Sequence, residues 1–67
     1  MERRHLAIAD RIIVQGEARI QKQRALIERL RLRGANTDSA ETFLALLEET
    51  LAGWIREREM ILVELAS

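Results

Sequence analysis

The sequence contains no cysteine, no proline and no tyrosine, a single histidine, three glycines, and only two aromatic residues, Phe43 and Trp54. Without cysteine no disulfide can form, and one histidine leaves a structural zinc site short of ligands. Without proline, nothing of that kind interrupts a helix. Net charge is also absent, since eleven Lys or Arg residues face eleven Asp or Glu residues. That balance removes the long-range field with which a strongly basic chain attracts nucleic acid. No apolar run approaches the ~18 residues of a membrane span. Asp10 and Arg11 interrupt what would be the apolar stretch of a leader after Arg3 and Arg4, so a cytoplasmic setting is expected.

What the chain does contain is 48% hydrophobic and 33% charged residues over 67 positions, a composition that can build a core. One small domain is the upper bound. Below roughly 70 to 80 residues a single core seldom supplies more than ~3 to 5 kcal/mol, and natural chains of this size add disulfides, a metal or a partner. With the first two excluded by composition, association is the device that remains.

From Glu2 to Arg33 the sequence is dominated by Ala, Leu, Arg, Gln and Glu, all good helix formers. Gly34 offers the left-handed position that ends a helix, and Arg31 and Arg33 suit the negative end of its dipole. These signals predict a first helix over about 2 to 33, a link over 34 to 37 and a second helix over about 38 to 66. Asp38 and Glu41 have capping-box spacing, with Thr37 as the alternative N-cap. So short a link forces the helices antiparallel. The expected fold is therefore an all-α, coiled-coil-like two-helix hairpin that dimerises into a four-helix bundle.

Heptad spacing defines the seam. On helix 1 it runs through Leu6, Ala9, Ile13, Gly16, Ile20, Gln23, Ile27 and Leu30. On helix 2 it runs through Ala40, Leu44, Leu47, Leu51, Trp54, Arg58, Ile61 and Leu65. Folding at the link pairs residues whose numbers sum to 74. That register puts Ile20 against Trp54, Gly16 against Arg58 and Ala9 against Leu65. Gly16 then makes room for Trp54 and for the Arg58 stem, and Gln23 either fixes register or reaches solvent at the seam's edge. Residues 1 to 34 carry net +5 and residues 35 to 67 carry net −5. Arg24 with Glu48 and Arg19 with Glu57 are the candidate cross-helix pairs.

The seam leaves Ile8, Ile12, Val14, Leu26 and Leu32 on helix 1 unaccounted for, with Phe43, Leu46, Ile55, Met60, Leu62 and Val63 on helix 2. So much residual apolar surface points to a partner. Phe43, Leu46, Thr50, Gly53, Glu57 and Met60 recur at three-four spacing and form a second seam along one flank. The candidate dimer face is Phe43, Leu46, Thr50, Gly53 and Met60. An antiparallel contact of helix 2 with its symmetry mate would set Leu46 against Met60 and Gly53 against itself.

No catalytic set is recognisable: Ser39 and Ser67 lie at helix ends, and His5 has no acid or nucleophile fixed beside it. Glu2 and His5 have the Glu-x-x-His spacing of di-iron bundles but lack the further inward carboxylates such a site needs, and a solvated terminal turn is the simpler account. Arg19, Lys22, Arg29 and Arg33 form a basic stripe with Leu26 interleaved. A stripe of this kind can track phosphates, but a solvated face that pairs with acidic helix 2 is the preferred account, and nucleic acid is not the expected partner. Neither a cofactor nor a small-molecule substrate is expected.

His5-Leu6-Ala7 through Arg11, Gly16-Glu17-Ala18-Arg19-Ile20, Gln23-Arg24, Leu26 through Leu30, Gly34 to Thr37 and Leu46 through Ala52 together resemble a family of short proteins of rhizobia and related alphaproteobacteria. That resemblance covers most of the chain. It implies a helical hairpin in a bacterial cytoplasm and carries no assigned activity. Members are richer in histidine near Ile13, near Ala35 and after Ala52, and this chain departs from them there. The functional expectation is a non-enzymatic protein-interaction or regulatory module acting as a homodimer, with room for a further protein partner. The alternative is an RNA- or DNA-binding hairpin dimer using Arg19, Lys22, Arg29 and Arg33.

Overall fold

A computed structural model describes residues 3 to 67. Two helices make up the fold, α1 (Arg3–Leu32) and α2 (Asp38–Ala66), packed side by side as an all-α hairpin. The expected link gains Arg33, because α1 closes one residue earlier than the composition suggests. Gly34 adopts φ 70, and around it the Ala35 N–H donates to the Leu30 carbonyl while the Gly34 N–H donates to that of Arg31, both at 2.9 Å. Those two bonds are the Schellman closure, which satisfies the last carbonyls of α1 and turns the chain back at once.

The start of α2 differs from the capping box expected at Asp38. Thr37 occupies the N-cap with no side-chain cap bond. Asn36 supplies the closure instead, its Oδ1 accepting from the Asp38 N–H at 2.8 Å, as Asn does in turns. Thr37 Oγ1 and Glu41 Oε2 lie 3.0 Å apart, so the Glu41 carboxylate is held beside the positive end of α2.

The seam faces are those the heptads predict. Ala9, Ile20, Ile27 and Ile61 are buried, and the other seam positions of both helices are half-buried, except Leu65, which is exposed. Register is where the structure corrects the sequence. A Cβ on Gly16 would meet Leu51 Cδ1 at 3.3 Å, and Arg58 bonds to Asp10, so those facing numbers sum to 67 and 68 rather than 74. Arg24 with Glu48 and Arg31 with Glu41 sum to 72. The Gly34 closure folds the chain earlier than a link centred on Thr37 would. As a result Ile20 lies with Leu51, Ala52 and Ile55, and Trp54 lies nearer the chain start, beside Ala9 and Ile61. Gly16 therefore accommodates Leu51, and Arg58 does not cover it.

The molecule measures 53 × 15 × 11 Å with a radius of gyration of 15.6 Å. A compact chain of this length would have about 11 Å. A two-helix layer has one seam and no second layer, which is why only four hydrophobic side chains are buried among the described residues.

Candidate interaction surface

The two broad sides of the hairpin differ in chemistry. On one side, Asp10, Glu17, Arg24 and Arg31 form a heptad row on α1. Arg31 pairs with Glu41 at 2.9 Å and Arg24 with Glu48 at 3.1 Å across to α2, the second as expected. Asp10 accepts from Arg58 Nε; this hydrogen bond, and then the charge of Asp10, raises the Arg58 guanidinium above its ordinary pKa. Glu17, Ile20 and Ile55 line the groove between these pairs. Three ion pairs thus span this side between the helices.

The other side has no such pairs among the described residues. Ile12, Gln15, Gly16, Arg19, Thr50 and Trp54 line a shallow depression of about 180 Å³. Beyond it His5, Ile8, Ala9 and Glu57 surround the other edge of the indole. Half-buried Trp54 is thus both a seam residue and part of this floor. Ile8 is 46% exposed, Phe43 51%, Leu46 54% and Met60 59%. Thr50 lies here beside Gly53, Trp54 and Glu57, so the expected dimer face on α2 and the unassigned Ile8 and Ile12 of α1 belong to one side of the molecule. Leu26 joins them through its heptad relation to Ile12 and Arg19. Val14 and Val63 are exposed singly elsewhere, as is ordinary for surface residues.

Gly53 is not explained by the packing of the single chain. A Cβ there would meet only the Arg56 guanidinium, at 3.8 Å, so crowding beside Trp54 does not require glycine. Gln23 is a register device: its Nε2 donates to the Ala40 carbonyl at 2.8 Å. Sequence spacing missed the Asp10 to Arg58 pair, because Asp10 sits beside the seam rather than in it and becomes level with Arg58 only in the observed register.

The basic stripe of Arg19, Lys22, Arg29 and Arg33 is exposed, and none of the four forms an ion pair among the described residues. The expected Arg19 to Glu57 pair is not formed: with Glu57 near Ile8 and Ala9, Arg19 is several residues away along α1. Glu2 of the Glu-x-x-His pair lies outside the described residues, and among those described no group of three potential metal ligands occurs. Nor is any described helix long and apolar enough to cross a membrane. Comparison with protein-family models, curated proteins and solved structures finds no match to this chain.

Proposed function

We propose that the protein is a small non-enzymatic protein-interaction module of the bacterial cytoplasm that works as a homodimer of hairpins, through the side bearing Phe43, Leu46, Thr50, Gly53 and Met60. The observation that carries this reading is uncovered area. One chain exposes 5278 Å², whereas a compact monomer of 7.7 kDa would expose about 4,300 Å². The excess, about 950 Å², is close to the ~800 Å² that each partner contributes to a stable interface. Ile8, Phe43, Leu46 and Met60 are exposed together on the side that shows no cross-helix ion pair among the described residues, where a second layer would turn them into core.

Leu46→Glu tests the face, with Ile55→Glu on the ion-paired side as its control. Burying an unpaired carboxylate in an apolar contact strips its hydration and costs several kcal/mol. Sedimentation velocity should show Leu46→Glu as a helical monomer and Ile55→Glu as a dimer. Equal behaviour of the two variants would remove this face from consideration.

A second reading, nucleic-acid binding, has one observation in its favour: Arg19, Lys22, Arg29 and Arg33 make no ion pairs with α2. Four phosphate contacts per chain would give retention on a polyanion column that falls steeply with salt. Passage through that column at low salt would dismiss it.

A further inference from the structure

The side of the hairpin that shows no cross-helix ion pair among the described residues has charge along both rims. Arg11, Lys22 and Arg29 follow one line on α1, their spacings of eleven and seven residues being near whole numbers of turns. Glu57 and Glu64 stand one heptad apart along the matching flank of α2, and Glu49 lies one heptad position further round the helix, toward its outer face. All six are exposed, and none forms an ion pair among the described residues.

Building on the dimer proposed above, we infer that the two copies associate with their links at the same end, so that α1 of each lies against α2 of the other. A hairpin can stack on itself about a two-fold axis in two ways. An axis along the bundle places the links together and α1 beside the second copy's α2. An axis across the bundle places the links at opposite ends, with α1 beside α1 and α2 beside α2. Apolar contact does not choose between them, since Leu46 can meet Met60 in the second arrangement as readily as Ile8 can meet it in the first.

Charge does choose. Rotation about the long axis preserves height, so helices from different copies meet at the same levels as within the hairpin, where facing numbers sum to 63 to 72. Lys22 then lies level with Glu49 of the second copy and Arg11 with its Glu57. Ile8 falls level with Met60, and Leu26 with Phe43. Arg19 comes level with Gly53, where the open space above the glycine accepts the arginine stem. In the opposite-end arrangement α1 (Arg3–Leu32) crosses itself near its middle, setting Arg11 beside Lys22, and α2 crossing near Gly53 sets Glu49 beside Glu57. Like charges would face each other along both seams, and the +5 and −5 halves of the chain would each meet their own kind.

The chain has no cysteine, so Ala35→Cys places one spin label on the exposed link. Double electron-electron resonance between the two labels of a dimer should give a short separation, about 20 Å or less, since the two links stack about one interhelical spacing apart. A separation approaching the 53 Å length of the hairpin would overturn the arrangement and leave the dimer standing. No dipolar coupling at any concentration would overturn both. Charge reversal gives an independent reading: Lys22→Glu should weaken dimerisation about three- to tenfold, and adding Glu49→Lys should restore it. A double variant no tighter than the single one would contradict the pairing.

Discussion

At the scale of single residues, Gly16 and Arg58 decide how the seam is read. The approach of Leu51 Cδ1 to within 3.3 Å of a Cβ on Gly16 allows a methyl only if Leu51 yields by a few tenths of an ångström. Gly16→Ala should therefore change stability little, because a helix-propensity gain of up to about 1 kcal/mol is offset by that displacement. Gly16→Leu should overpack the seam and cost about 1 to 3 kcal/mol. Thermal melts of both variants check this, and equal midpoints for the two would contradict the contact. Arg58 belongs to a pair rather than to a lid over Gly16. A double-mutant cycle with Asp10→Ala and Arg58→Ala should give a favourable coupling that shrinks with salt, and strictly additive effects would contradict it. Because the guanidinium pKa is raised in the folded chain, the stabilisation from Arg58 is fully present below its unfolded value. It is lost only as pH rises through the folded one, so Arg58 itself adds no pH dependence across the neutral range.

At the scale of elements, both helices and their inward faces are legible in the sequence. Period and propensity agree over nearly thirty residues each, and the Gly34 stop is unambiguous. Register is not legible, for a physical reason. Sliding α2 along α1 by a turn or a heptad brings the same rows into contact, so Leu51 replaces Arg58 opposite Gly16 without any change in the apolar pattern. What selects the register is local: the Schellman closure at Gly34, the Asn36 bond to the Asp38 N–H and the Gln23 bond to Ala40. Gly34→Ala, at φ 70, should cost about 1 to 2 kcal/mol and loosen the link while the helices persist. A melt that shows no loss would mean the turn does not set the fold. The proposed interaction side is half legible. The α2 flank of Phe43, Leu46, Thr50, Gly53 and Met60 stood out by spacing, but Ile8, Ile12 and Leu26 could join it only once the hairpin placed them on the same side.

At the scale of the whole molecule, the hairpin is a layer without its second layer. Ion pairs span one side, Ile8, Phe43, Leu46 and Met60 lie exposed on the other, and the four side chains buried among the described residues are a small core against the conformational entropy of ordering a chain this long. In the dimer proposed above, a second copy would supply what a single seam does not, bringing its own apolar residues with opposite charge along the rims. Stability should then depend on protein concentration, with the thermal midpoint rising as the dimer is favoured by mass action. Sedimentation equilibrium of the unmodified chain tests this most directly. At tens of micromolar the account predicts a mass twice the 7.7 kDa of one chain; a fully helical species of single-chain mass at that concentration would contradict it.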